Sequence, residues 1–204
     1  MLTLATSSQI TIPVADKTAA TRDVSDEALV DAIAAGDRGA MRTLYLRHNV
    51  RIYRFVLRLT GDAASAEDIV SEVFLDVWRQ AAAFEARSRA ATWILSIARY
   101  KALSALRGRA HDRLDDDAAM AVADPADDPE TVLHHQDRSA IVRKCLSQLS
   151  AIHREVLDLV YYHDKSVDEV AEIVGVPPST VKTRMFYARR RMEGLLESEG
   201  VALN

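Results

Sequence analysis

Apolar residues recur three and four positions apart along most of this chain, and no stretch shows the strict alternation of a half-buried strand. Ser25 followed by Asp26 and Glu27 reads as an N-cap with an acidic first turn suited to the helix dipole. Leu29, Val30 and Ile33 give this first helix a short apolar face, and Gly36-Asp37 stops it. A second helix is predicted from about Arg38 to Thr60, with Met41, Leu44, Tyr45, Tyr53, Val56 and Leu57 as core and Gly61 as terminator. A third spans about Ala63 to Gln80, where Ile69, Val70, Val73, Phe74, Val77 and Trp78 form a stripe. Its opposite face carries Glu67, Asp68, Glu72 and Asp76. After the loop FEARSR, a fourth helix runs from about Ala90 to Arg109, with Trp93 expected in the core.

The pattern then fails. Residues 112–130, DRLDDDAAMAVADPADDPE, are acidic, contain two prolines and keep no period, which is the composition of a linker. Helical periodicity resumes near Thr131 and is expected to continue through RSAIVRKCLSQL and SAIHREVLDLVYYHD. Ser166 with Glu169 three residues later is a capping box, so another helix starts there. Gly175 supplies the left-handed residue that ends it, and the prolines of VPPST open a last helix where a missing N–H costs little. Helix, short glycine-containing turn and helix over residues 166–193 make a helix-turn-helix. The expected fold class is therefore all-α: two small helical domains, residues 25–111 and 131–204, joined by a flexible acidic linker and preceded by a disordered tail, residues 1–24.

Charge sharpens this picture through its distribution. The 204-residue chain has a net charge of -4, yet its last helix ends in a crowd of arginines. A partner feels charge within about 10 Å, so a local basic patch outweighs the acidic total. At 100° per residue, Val181, Met185, Ala188, Met192, Leu195 and Leu196 share one side of the last helix. Ser179, Thr183, Phe186 and Arg190 point the other way, flanked by Lys182 and Arg189 on one side and Tyr187 on the other. A recognition helix enters the major groove with its first residues at base edges, while later basic residues hold phosphates. Ser179, Thr180, Lys182 and Thr183 are thus candidate base readers, and Arg184, Arg189 and Arg190 candidate phosphate contacts.

Other classes of chemistry find little support. The single cysteine, Cys145, excludes an internal disulfide and is expected to be a buried, inert thiol. The opening MLTLATSSQITIPVADK has no basic start and does not read as a signal peptide, and no apolar run approaches the ~18 residues of a membrane span. No Walker loop, GxSxG elbow or HExxH helix is present, and no cofactor or metal is expected. A metal-dependent hydrolase built on Asp115, Asp116, Asp117 and the pair His134-His135 is disfavoured, because adjacent helical side chains diverge by about 100°.

Taken together, the chain resembles a bacterial RNA polymerase sigma factor of the extracytoplasmic-function (ECF) type, over about residues 25–197. AGDRGAMRTLYLRH and SAEDIVSEVFLDVWR are similar to sigma region 2, and LSQLSAIHREVLDLVYYHDKSVDEVAEIVGVPPSTVKTRMFYARRRM to region 4. The resemblance implies a cytoplasmic, non-enzymatic transcription factor that binds core RNA polymerase, through the β′ coiled coil and the β flap, and promoter DNA. It also implies an anti-sigma factor as regulator. The acidic face of Glu67, Asp68, Glu72 and Asp76 would meet the β′ coiled coil. Arg87, Arg89, Arg99, Tyr100, Lys101 and Arg107 would engage the melted minus-ten strand, and the last helix would read the minus-thirty-five element. Many members carry Asn where this chain has Tyr100, so base preference there does not carry over. The alternative is a helix-turn-helix regulator that is not a sigma factor, against which the AEDIVSEVFLDVWR helix counts.

Overall fold

A computed structural model describes residues 24–112 and 136–200, and among these residues the regular structure is helical throughout. The helices are α1 (Asp26–Ala34), α2 (Arg38–Thr60), α3 (Ala63–Gln80), α4 (Ala90–Asp112), α5 (Gln136–Ser147), α6 (Ala151–Leu157), α7 (Val167–Val174) and α8 (Pro178–Ser198). A 3₁₀ turn at Ala81–Ala83 follows α3, and a π-helical turn at Asp158–Tyr162 follows α6. None of the described helices is long and apolar enough to cross a membrane.

Local signals account for most boundaries. Ser25 Oγ accepts from the Ala28 N–H at 3.2 Å, and Asp37 Oδ1 from the Gly39 N–H at 2.7 Å, so both first helices start on a side-chain cap. Gly61 closes α2 at φ 68°, returning its N–H to the Leu57 carbonyl. α2, α3 and α4 then pack around Leu44, Ile52, Phe55, Val56, Val73, Val77 and Ile94, each at most 2% exposed. α1 covers this core with Leu29, Val30 and Ile33. Its first turn ties the unit together. Asp26 binds His48 at 2.6 Å and Arg47 at 2.9 Å, and Glu27 Oε1 accepts the Ala90 N–H at the start of α4. The His48 hydrogen bond foremost holds the Asp26 carboxyl below its ordinary range.

Tyr45, expected in the core, is instead 40% exposed. Ile52 and Phe55 fill the interior, and Tyr45 lies at its rim with its ring edge-on to Phe74 at 4.8 Å. Met41, Tyr53, Trp78 and Trp93 are half-buried against the core, Trp93 beside Phe84 at 4.9 Å.

The helical pattern read over RSAIVRKCLSQL and SAIHREVLDLVYYHD is divided in the second unit into separate elements. α5 ends at Ser147, Ser150 caps α6 by accepting the His153 N–H, and the chain then widens into the π turn, where the His163 N–H reaches the Asp158 carbonyl. Apolar periodicity does not distinguish α from π spacing over five residues, so neither break was visible in the pattern. The core here is Cys145, Leu149, Val156, Leu159, Val170, Val181, Met185 and Ala188. Burial pushes the Cys145 thiol up, in keeping with an inert side chain. The two units pack together, α4 on α7 and α2 against the π turn.

Gly175 turns the chain between α7 and α8 at φ 71°, and a Cβ there would meet nothing within 4 Å. Gly175→Ala should therefore cost only the left-handed backbone penalty, about 1–2 kcal/mol, whereas Gly175→Asn should cost less. Denaturant unfolding checks this. A loss of Gly175→Ala stability well beyond that range would mean the turn is held by packing.

Candidate nucleic-acid interface

The capping box at the start of α7 forms as its spacing requires. Ser166 Oγ accepts the Glu169 N–H at 3.2 Å, and Glu169 Oε2 accepts the Ser166 N–H at 3.0 Å. α7 sets Val170, Ala171, Ile173 and Val174 into the core, and the Gly175 turn sends α8 across it. On α8, Val181, Met185, Ala188, Leu195 and Leu196 are buried and Met192 packs beside them, as the helical angles require. Ser179, Lys182, Thr183, Arg189 and Arg190 are exposed on the outer side, with Thr180 and Arg184 half-buried. Thr183 Oγ1 donates to the Ser179 carbonyl at 3.0 Å, which leaves its oxygen to act as an acceptor toward a ligand. The Arg189 guanidinium lies 5.6 Å from the centre of the Tyr161 ring. Phe186 and Tyr187 are exposed in an edge-to-face pair with centroids at 5.4 Å. They share the outer side with the basic residues, although no candidate role was assigned to them from the sequence.

In the first unit the candidates divide into three settings. Arg89, Tyr100 and Arg107 are exposed, and so is Arg87, which pairs with Glu85. Lys101 turns back onto α3, where its ammonium binds Glu72 at 3.1 Å and Asp76 at 2.8 Å. The Asp76 hydrogen bond chiefly pushes the Lys101 ammonium up and secures its charge. A candidate strand contact is thus joined to two candidate polymerase contacts, while Glu67 and Asp68 remain exposed on the first half of α3. Arg99 faces neither group: its Nε and Nη2 donate to Glu155 of the second unit at 2.6 and 3.3 Å.

That pair belongs to a polar seam between the units. Arg58 binds Asp158 and stacks over the Tyr162 ring at 4.1 Å, Arg54 donates to the Tyr162 hydroxyl, and Arg51 sits 3.6 Å from Asp164. Thr92 Oγ1 donates to Glu169 Oε1 at 2.7 Å and accepts from Lys165 Nζ at 3.0 Å, and Lys165 also binds Glu169 at 3.1 Å. The row Arg51, Arg54 and Arg58 was missed, although its spacing of three and four residues marks one helix face. A groove of 640 Å³ also opens among α5, α6 and α8, with Val142, Leu146, Leu157, Tyr161, Met192 and Leu196 on its apolar walls. Asp115, Asp116, Asp117, His134 and His135 lie outside the described residues.

Residues 44–111 match the family model for sigma-70 region 2, and residues 139–192 match that for sigma-70 region 4. The ECF RNA polymerase sigma factor SigL of Mycobacterium tuberculosis is 33% identical over 175 residues, covering 85% of this chain and 98% of the relative. The ECF RNA polymerase sigma factor SigK of Mycobacterium bovis is 30% identical over 174 residues, covering 84% and 93%. Among solved structures, the sigma factor RpoE in complex with the anti-sigma factor NepR from Bartonella quintana aligns with a TM-score of 0.65 at 27% identity, covering 76% of this chain and 96% of that one. CnrH in complex with the cytosolic domain of CnrY shares the fold, with a TM-score of 0.63 at 22% identity over 85% of this chain and 97% of that one.

Burial raises the Glu169 carboxyl, but the Ser166 N–H, Thr92 and Lys165 outweigh it and lower its pKa to about 2. A depressed folded-state value contributes stability that is present above the unfolded pKa and is lost as pH falls through the folded one. Stability should therefore decline from about pH 4.5 toward pH 2 in the native chain. Glu169→Gln should flatten that part of the profile while lowering stability at neutral pH. An unchanged acid limb would mean that Glu169 is not what holds this corner.

Proposed function

Because the chain belongs to the sigma-70 family, as a sigma factor of the extracytoplasmic-function type, we propose that its two units divide promoter recognition between them. Residues 25–111 would bind core polymerase and the melted minus-ten strand, and residues 131–204 the minus-thirty-five duplex. The observation that carries this reading is α8. Its apolar side is buried, and hydroxyls followed by arginines line its exposed side at the spacing of a major-groove helix.

Ser179, Thr180, Lys182 and Thr183 lie in the first turns of α8, within reach of base edges, and Arg184, Arg189 and Arg190 lie where the flanking phosphates run. In the first unit, exposed Arg87, Arg89 and Arg107 would form the basic track for a single strand, with Tyr100, 69% exposed, offering a ring for a base to stack on. Lys101, anchored by Glu72 and Asp76, presents less charge to that track. The same pairing shifts the burden of polymerase binding on α3 toward exposed Glu67 and Asp68, whose charge suits basic residues of the β′ coiled coil. The apolar groove between α5, α6 and α8 would take the β flap. Tethering lets two weak contacts act together on one promoter. By likeness to the NepR-bound relative, an anti-sigma factor would be the regulator.

Promoter-directed transcription in vitro by core polymerase supplemented with this chain tests the reading as a whole. Within it, Glu67→Lys with Asp68→Lys should weaken polymerase capture at least tenfold while helical content is unchanged, and undiminished capture would remove these residues from the interface. On a randomised minus-thirty-five library, Lys182→Ala or Thr183→Ala should change base preference at a cost of about 1–3 kcal/mol on the preferred site. Arg190→Ala should weaken all sites alike and reduce the salt slope by about 1. The reverse pattern would mean that α8 lies in the groove the other way round.

A further inference from the structure

The outer face of α8 carries two large rings among its hydroxyls and arginines. Phe186 is 59% exposed and Tyr187 54%. At 100° per residue, Ser179, Thr183, Phe186 and Arg190 fall within about 60° of one another round the helix. Phe186 therefore stands at the middle of this face, one turn beyond Thr183 and one turn before Arg190. The inward band from Val181 to Leu196 fills the core without either ring. Phenylalanine has a lower helix propensity than the arginines around it, and a ring left mostly in water gains little from burial. Folding alone does not account for its presence.

The surroundings of the ring fit a small apolar group carried on a polar partner. Tyr187 meets Phe186 edge to face, with centroids 5.4 Å apart and planes at 77°, which restricts the Phe186 ring in the free chain. On the side of α8 away from Tyr187, a cleft of 570 Å³ opens beside the ring. Val167 of α7 and Met185 and Phe186 of α8 give it apolar walls, and Lys182, Arg189 and Arg190 line it too. In the major groove the apolar group at a base edge is the C5-methyl of thymine, and an apolar side chain is what meets it. A phosphate has no apolar surface to offer such a ring. An amine or a hydroxyl reads acceptors, which guanine and thymine both present, so the methyl is what separates these two bases.

We propose that Phe186 is a specificity-determining residue of α8 that reads thymine: its ring covers the C5-methyl of one thymine in the minus-thirty-five duplex. Lys182 and Phe186 are four residues apart, about 6 Å along the helix axis. At 3.4 Å per base pair, the thymine lies within about two base pairs of the base edge that Lys182 reaches. The inference rests on the assignment of α8 to that duplex and adds an apolar readout to the polar one. The ring is covered only when the DNA is in place, so its exposure in the free chain and its contribution to base choice have one cause.

The test uses the full chain, alone at low salt and assembled with core polymerase, on duplexes selected from a randomised minus-thirty-five library. Each thymine of the selected site is replaced in turn by deoxyuridine, which removes only the C5-methyl. The native chain should lose about fourfold in affinity at one thymine, the factor expected for returning one methyl group to water, and little at the others. Phe186→Ala should bind the thymine and deoxyuridine forms of that position equally. Phe186→Leu should keep a discrimination of about twofold. The side chain is exposed, so neither substitution threatens the fold. Native indifference to deoxyuridine at every thymine, a preferred site without thymine, or full discrimination retained by Phe186→Ala would each overturn the proposal. So would weaker polymerase capture by Phe186→Ala with methyl discrimination intact, which would make the rings a protein contact. Methyl discrimination by the chain alone, with no transcription from core polymerase, would sink the sigma-factor reading and leave this one standing. Duplex binding without any sequence preference would sink both.

Discussion

Glu169 is the residue on which the two halves of this protein converge. One of its oxygens accepts the Ser166 N–H and fixes the start of α7, the first helix of the helix-turn-helix. The other accepts from Thr92 of α4 and from Lys165. A single carboxylate therefore completes a local cap, neutralises a buried lysine and fastens the second unit to the first. Few side chains could replace it. Glutamine would keep the shape but would leave the Lys165 ammonium, 9% exposed, without a counter-charge, and an unpaired buried charge is among the most costly groups in a protein.

Around that point the molecule separates two kinds of interaction by location. Apolar burial follows the inward face of each helix, and α3 shows the division best: Val73 and Val77 are fully buried while Glu67 and Asp68 face solvent. Charge is concentrated between the units and on the outer face of α8. Apolar packing is not screened by salt in the way ion pairs are. Ion pairs respond to salt and to competing anions, which places the responsive part of the structure at the seam.

The same separation explains why several candidate residues carry two loads. Lys101 sits on the helix assigned to strand contact, yet it is drawn to Glu72 and Asp76, two of the residues assigned to polymerase. Arg99 sits one position before exposed Tyr100 but faces Glu155. On a helix, neighbours in sequence point about 100° apart, so a run of basic residues along α4 is divided among three surfaces. The sequence reading put Arg87, Arg89, Arg99, Lys101 and Arg107 in one group, and the fold distributes them.

What the sequence alone determined is most of the helices, several of their caps and most of the inward sides. These depend on spacing of three and four residues and on short-range capping, all of which are local and visible in one dimension. Ser25, Gly61, the Ser166–Glu169 box and the inward band of α8 from Val181 to Leu196 were legible for that reason. Tyr45 was misplaced because a periodic position near the edge of a stripe can belong to the rim, and only packing against Phe74 decides which. The break of α6 into a π turn, the partnership of Arg99 with Glu155 and the row from Arg51 to Arg58 were decided by tertiary structure. Those residues are 56 and about 100 positions apart in the chain, as with Arg99–Glu155 and Arg58–Asp158. No local pattern encodes which arginine meets which carboxylate across such a distance, because ion pairs have no periodicity and any of several matches would satisfy the charge.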